Sequence, residues 1–158
     1  MELAEEDRGV FRRLAARFEL EGSAHELAAA TRQAIADATD FDERDSNRNF
    51  SYDYEAYGEV KRNLSRLVAL GELHLAMELS LELMKQGSRQ VEMSDEGLMI
   101  PDIEECLRIV LSGVKKSGQT PDEVVTWCVA MIKSDRVGSI CDRELGSLRN
   151  AFDALRSQ

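Results

Sequence analysis

The chain has few of the residues from which catalytic and metal sites are usually built. Its 158 residues include two histidines and three cysteines. His25 begins the segment HELAA, which lacks the second histidine of the H-E-x-x-H zinc motif. Neither His25 nor His74 has the glutamate three residues earlier that a di-iron helical bundle requires. The sequence therefore predicts no metal site, no cofactor and no enzyme activity.

The three cysteines do not form a disulfide pattern. Cys106, Cys128 and Cys141 are odd in number, widely spaced and surrounded by apolar residues. A disulfide framework in a small secreted domain has an even number of cysteines at short spacings. The sequence predicts reduced thiols that fill a protein core.

Long apolar runs and a secretory leader are also missing. No apolar run approaches the roughly 18 residues that a membrane helix needs. The first residues, MELAEEDRG, are acidic and lack the basic and then apolar pattern of a signal peptide. We expect a cytoplasmic protein without a membrane segment. Its length suits one α-helical domain over residues 1–158, or a fragment of a longer helical-repeat protein.

A calcium-loop motif near residue 45 is incomplete. Asp45, Asn47 and Asn49 match the D-x-N-x-N opening of such a loop. The sixth position should be glycine and the twelfth glutamate, but this chain has Phe50 and Ala56 there. We expect turn and capping roles for the motif and no calcium binding.

Helical periodicity runs through almost the whole chain, without a strand pattern. It predicts an all-α fold of stacked helical hairpins, TPR-like or an irregular helical bundle, with about seven helices. The predicted helices cover 2–20, 24–39, 54–71, 72–86, 101–118, 121–133 and a last stretch after Gly138. Residues 87–101 are predicted to form a long linker. The pairs at 53–86 and 102–133 resemble two units offset by about 49 residues.

Two groups of large side chains have alternative interpretations. Tyr54 and Tyr57 begin the predicted buried stripe of the third helix, whereas Tyr52 fits either helix packing or a surface contact. The last helix carries a seam that either packs internally or docks another copy of the chain, which would give a homodimer. This seam consists of Cys141, Leu145, Leu148, Phe152 and Leu155.

Charge is unevenly distributed along the chain, whose net charge is −10. Residues 72–105 hold 9 acids and 2 bases, and residues 106–158 hold 6 acids and 8 bases. The acidic block favours a basic partner, and the basic third suits contacts with phosphate. Two functions follow: a non-enzymatic scaffold for protein–protein interaction and, as the alternative, a nucleic-acid-associated module.

The two functions use different candidate residues. For the scaffold, a groove between hairpins is predicted to receive a peptide or helix, lined by Tyr52, Tyr57, Trp127, Glu92, Asp95 and Glu96. Arg143, Arg149 and Arg156 flank the last seam and would support self-association against the acidic block. For the alternative, the phosphate-binding candidates are Lys115, Lys116, Lys133, Arg136, Arg143 and Arg149.

The order of several segments resembles the helical region that follows the zinc finger in bacterial SWIM zinc finger proteins of uncharacterised function. The similarity covers roughly residues 27–152. Its segments are AIADATDFD, FSYDYEAYGEVKRNLSRLVALGELHLAMELSLELM, MSDEG and CLRIVLSGVKKSGQTPDEVVTWCVAMIKSDRVG. The resemblance implies a TPR-like helical scaffold and transfers no catalytic residue. The chain departs from the family because it has no C-x-C followed by C-x-H.

Overall fold

The computed structural model describes residues 23–40, 52–94 and 96–156, and these ranges contain six helices. Helix α1 occupies 23–38. It is followed by α2 (Tyr54–Ala69), α3 (Leu73–Met93), α4 (Ile100–Lys116), α5 (Pro121–Ser134) and α6 (Asp142–Arg156). No strand occurs in the described ranges, so the predicted all-α fold is confirmed. The predicted helix over 2–20 and the motif at 45–49 lie outside these ranges.

The helices form stacked hairpins, as the sequence predicts. The hairpin of α2 and α3 lies against the next two helices, so that α2 packs on α4, and α3 packs on both α4 and α5. Side chains about one hairpin apart in sequence connect the two layers: the Trp127 indole N–H donates to the Met77 carbonyl at 3.0 Å. Helix α6 packs mainly on α5 at one end of the stack.

Helix α1 lies along α3 and runs in the same direction. Near its middle, Arg32 pairs with Glu78 and Glu82 of α3, at 3.8 and 3.5 Å. Near its end, the Ala38 carbonyl accepts a hydrogen bond from Gln90 Nε2 at 2.9 Å. Because residue numbers increase together along the two helices, residue 23 lies level with the beginning of α3.

Local sequence explains where α2 ends and α5 begins. Gly71 adopts φ +80°, and the amides of Gly71 and Glu72 donate to the carbonyls of Val68 and Leu67, which is a Schellman motif. Thr120 caps α5 by accepting the Glu123 N–H at 3.4 Å, and proline follows at the first helical position. Both predicted boundaries are confirmed.

The predicted linker over 87–101 is wrong, because α3 continues through Gly87 to Met93. Gly87 does not end the helix; it lets α3 approach α4 closely. A Cβ at this position would lie 3.0 Å from Ile103 Cδ1. The actual connection is a short turn in which Ser94 Oγ accepts the Gly97 N–H at 2.9 Å. Within the described ranges, none of the helices combines the length and apolar composition that crossing a bilayer requires.

One core cluster connects residues from all six described helices. It includes Leu145 and Leu148, so the first part of the last seam packs internally, with Phe152 half-buried beside it. Leu155 is 51% exposed, because α6 there reaches the start of α5, where Arg156 contacts Asp122 at 3.4 Å. The prediction of a buried Tyr54 is wrong: it is 65% exposed, since burial on α2 starts only at residue 56.

Candidate functional site

A groove open to solvent lies where α3 and α5 pack against each other. Its volume is about 490 Å³. Helix α3 contributes one lining strip and α5 the other, and most of the lining surface is apolar. The lining residues are His74, Met77, Glu78, Leu81, Asp122, Glu123, Thr126, Trp127 and Ala130. A concave apolar surface with a few polar groups at its edge is the usual form of a binding site.

Trp127 is the largest side chain of the groove and has a fixed position. It is 7% exposed, and its indole N–H donates to the carbonyl of Met77 at 3.0 Å. The same carbonyl accepts from Ser80 Oγ at 2.7 Å. A buried indole N–H needs an acceptor, so this bond holds the ring against α3. The prediction that Trp127 lines a groove between hairpins agrees with this position.

Carboxylates surround the apolar part of the groove. Glu78 is on α3, and Asp122 and Glu123 are in the first turn of α5, where negative charge is favourable for the helix. Two arginines approach from outside: Arg32 lies 3.8 Å from Glu78, and Arg156 lies 3.4 Å from Asp122. The two arginines offset part of this charge, but three carboxylates line the groove against two arginines, so its edge stays negative and favours cationic groups.

The two tyrosines that the sequence places in the groove belong to another part of the structure. Tyr57 is 1% exposed, and its hydroxyl donates to Gln90 Oε1. Burial raises its pKa above the usual range for tyrosine. Its assignment to the core is confirmed. Its assignment to the groove is wrong, because Tyr57 contacts Gln90 near the other end of α3 and is not among the lining residues.

Tyr52 is half-buried beside Tyr57, with the ring centroids 6.0 Å apart in an edge-to-face arrangement. Its hydroxyl donates to Asp102 Oδ2 at 2.6 Å. The hydrogen bond to Asp102 and burial raise the pKa of Tyr52 to about 12. Tyr52 therefore connects the start of α2 with the start of α4 and does not line the groove.

The predicted acidic residues lie near the other end of α3. Glu92 is about 16 Å along the helix from Leu81. It pairs with Arg136 at 2.6 Å, and Glu96 is exposed in the following turn. Asp95 lies outside the described residues. The carboxylates that do line the groove were missed by the sequence prediction, because that prediction did not include the pairing of α3 with α5.

The basic residues of the last third do not form one stripe. Lys115 and Lys116 end α4, and Arg136 is paired with Glu92. Arg143 and Arg149 are exposed on α6, but six residues apart on a helix they point in directions about 120° apart. No observation favours the nucleic-acid alternative, and self-association through α6 stays a prediction.

The cysteines have the environment that the sequence predicts. Cys106, Cys128 and Cys141 are free and fully buried. Burial raises their pKa values to about 12, 11 and 12, so the thiols are protonated at neutral pH. Among the residues that the structure describes, no three or more His, Cys, Asp or Glu side chains converge to hold a metal ion.

Comparison with known proteins gives no relative from which a function could be transferred. No family model matches the chain, and no curated protein or solved structure matches it. The groove between α3 and α5 is thus identified by its own geometry and charge.

Proposed function

We propose that the chain is a non-enzymatic helical scaffold that binds a segment of a partner protein in the groove between α3 and α5. The observation that carries this proposal is an open apolar groove of about 490 Å³ containing a fixed tryptophan. Trp127 is 7% exposed, so the more exposed lining residues around it provide most of the contact surface. Removing apolar surface from water contributes about 25 cal/mol per Å², which favours an apolar side chain as the anchor.

The rim determines the chemistry of the partner segment. Glu78, Asp122 and Glu123 surround the apolar surface, so lysine or arginine beside the anchor would find complementary charge. The lining strip of α3 runs from His74 to Leu81, a distance of about 10 Å, which accommodates roughly two turns of a helix. The partner segment is therefore a short helix with one apolar face and flanking basic residues.

Selection from a displayed library of short peptides on the full chain tests the proposal. We expect enriched peptides to combine aromatic or aliphatic residues with lysine or arginine. Thr126→Phe should weaken binding of these peptides at least tenfold, because Thr126 is exposed and a ring there fills the groove. Ser65→Phe places the same ring on an exposed position of α2 and should leave binding unchanged. Equal binding by both variants would contradict the proposed site.

A charge reversal tests the rim separately. Glu78→Lys should weaken binding of a basic peptide, and the loss should shrink as salt is raised. Glu59→Lys makes the same change of net charge on the exposed face of α2. If both reversals have the same effect, the attraction comes from the net charge of the chain and not from the rim.

The cellular location and the relationship to a family also remain proposals. Three free, buried cysteines support a location in the reducing cytoplasm. The proposed relationship to the helical region of SWIM zinc finger proteins rests on the order of the sequence segments. A solved structure of that region in a family member, superposed on α2 to α5, would test the relationship: a different helix order would reject it.

A further inference from the structure

The groove between α3 and α5 has two different ends. The two helices run in the same direction: the Trp127 indole donates to the Met77 carbonyl, and further along both helices Ser88 Oγ donates to the Ser134 carbonyl at 3.1 Å. Residue numbers therefore increase together along α3 and α5. One end of the groove lies at the beginnings of both helices, and the other end lies further along them.

The carboxylates that line the groove are unevenly distributed between these ends. Asp122 and Glu123 lie at the first end, in the first turn of α5, and Glu78 lies near the middle of the lining strip of α3. Leu81 and Ala130 form the second end, where no charged residue is among the described lining residues. A ligand that fills the groove therefore meets negative charge at one end and apolar surface at the other.

The Glu123 carboxylate is accessible to a partner. Arg156 lies 3.4 Å from Asp122, and Arg32 lies 3.8 Å from Glu78. Glu123 is exposed, and no lysine or arginine in the described part of the chain pairs with it. A lysine or arginine of the partner therefore finds an available counter-charge at the beginning of α5.

We propose that the partner helix lies antiparallel to α3 and α5, with its apolar anchor near Leu81 and Ala130 and with its lysine or arginine residues C-terminal to the anchor, beside Glu123. This inference rests on the proposed function, since it describes the occupant of the same groove. Basic residues are favourable near the C-terminus of a helix and unfavourable near its N-terminus. The parallel orientation would need them near the N-terminus of the partner, so only the antiparallel orientation suits the groove and the partner helix together.

The direction of side chains on a helix favours the same orientation. The Cα–Cβ bonds of a helix tilt toward its N-terminus, so the side chains of Glu78 and Glu123 lean toward the first end of the groove. In an antiparallel partner the side chains lean the opposite way, toward the second end. Lysines in its last turn therefore reach back toward these carboxylates, whereas in a parallel partner both sets of side chains lean in the same direction.

Two peptides of identical composition test the orientation against the full chain. The forward peptide carries two leucines one helical turn apart in its first half and two lysines one turn apart in its second half, in a background of alanine and glutamine. The reversed peptide has the same residues in the opposite order, and both are acetylated and amidated. Calorimetry should show about fivefold weaker binding of the reversed peptide, because it must either place lysines at its own N-terminus or leave Glu123 without a partner.

A nitroxide on the forward peptide shows its direction in the groove. The amides of Asp122 and Lys133 are about 16 Å apart along α5, so a label at one end of the peptide affects them differently. A label at the N-terminus of the peptide should broaden the Lys133 signal more, and a label at the C-terminus should broaden the Asp122 signal more. The opposite pattern, or equal broadening of the two signals by each label, would overturn the proposal.

A charge reversal tests the contact with Glu123. Glu123→Lys should weaken binding of the forward peptide about fivefold, and the loss should shrink as salt is raised. Glu55→Lys is the matched control, because Glu55 is an exposed acid in the first turn of α2. Equal losses in the two variants would contradict the contact and assign the attraction to net charge.

The orientation and the proposed function fail in different ways. If both peptides bind with equal affinity and Thr126→Phe weakens both, the scaffold function stands and the fixed orientation is wrong. If neither peptide binds, or if both bind Thr126→Phe as tightly as the unchanged chain, the groove is not the binding site and both proposals are wrong.

Discussion

The junction of α2 with α4 and that of α3 with α5 belong to the same helical stack, yet one is closed and the other open. At the closed junction, Gly113 of α4 brings the helices so near that a Cβ would lie 2.9 Å from Val68 Cγ1. At the open junction, Trp127 lies between the helices and a groove remains beside it.

The difference shows how side-chain size at a contact sets both stability and access. Distances between packed helix axes vary with the side chains at the contact, and glycine allows the shortest ones. At the junction of α3 with α5, a tryptophan that donates to a carbonyl of the opposite helix lies between the two backbones. The closed junction therefore contributes core packing, and the open junction offers apolar surface to a partner.

Truncation of leucine should separate the two junctions most strongly. Leu67→Ala, in the fully buried stripe of α2, should lower the free energy of unfolding by about 2–5 kcal/mol because it leaves a cavity. Leu81→Ala, at the groove, should cost less than about 1 kcal/mol because water can fill the space. Chemical denaturation of both variants measures the difference. Equal losses would mean that the groove is closed in solution.

Gln90→Leu should cause the next largest loss in the free energy of unfolding. Gln90 accepts from the Tyr57 hydroxyl and donates to the Ala38 carbonyl, so it ties α1 and α2 to α3. Its loss leaves two buried polar groups without this partner, at a cost of about 1–3 kcal/mol. Gln33→Leu, at an exposed pair, is the control. Hydrogen exchange should show faster exchange in α1; unchanged rates there would contradict the role of Gln90.

Replacing each of two glycines with alanine should change stability by smaller amounts and in opposite directions. Gly113→Ala should destabilise the protein by about 1–2 kcal/mol, because crowding against Val68 exceeds the gain in helix propensity. Gly146→Ala on α6 meets no atom within 4 Å and should stabilise the protein by up to about 1 kcal/mol. Thermal denaturation of the two variants provides the comparison, and a stabilising Gly113→Ala would show that the closed junction has spare room.

Thiol reactivity should distinguish buried positions from the open groove. Of these tests, it should change the free energy of unfolding least at neutral pH. The three native cysteines should not react with a thiol reagent at pH 8 in the folded protein, whereas Thr126→Cys in the groove should react rapidly. Fast reaction of the native thiols in the folded chain would contradict their burial.

The same thiols predict how stability depends on pH. Burial raises the pKa of Cys106 from 9.0 to about 12, so the folded chain keeps a proton that the unfolded chain loses above about pH 9. The stabilisation is fully present below pH 9 and falls as pH rises toward 12. Denaturation midpoints should therefore decrease across this range, and Cys106→Ala should make the decrease less steep. An identical slope in that variant would assign the decrease to other groups.

Sequence periodicity was sufficient for the helices but not for the site. The Thr120 cap and Gly71 are local features, so the boundaries they set could be predicted. Gly87, like Gly71, follows a run of helical residues, so the local sequence predicts that it ends a helix. It lies inside α3 instead, because it packs against Ile103 of α4. A glycine's role in helix packing cannot be read from its neighbours.

The residues that line the groove could not be predicted from local sequence either. Trp127 and Tyr57 were both predicted to line a groove between hairpins, but Trp127 lines one and Tyr57 lies elsewhere in the core. Asp122 and Glu123 fall in the first turn of the predicted helix over 121–133, and only the pairing of α3 with α5 places them at the rim. Burial and helix pairing are properties of the tertiary structure, so the local sequence does not determine which residues line the groove.

Fluorescence of Trp127 tests the central claim most directly, because it is the chain's single tryptophan and it lines the groove. A library-selected peptide without tryptophan should change its emission saturably, with the same dissociation constant that calorimetry gives. Thr126→Phe should abolish both signals. Binding by calorimetry with no change in Trp127 emission, and with full affinity in Thr126→Phe, would contradict the assignment of the groove as the binding site.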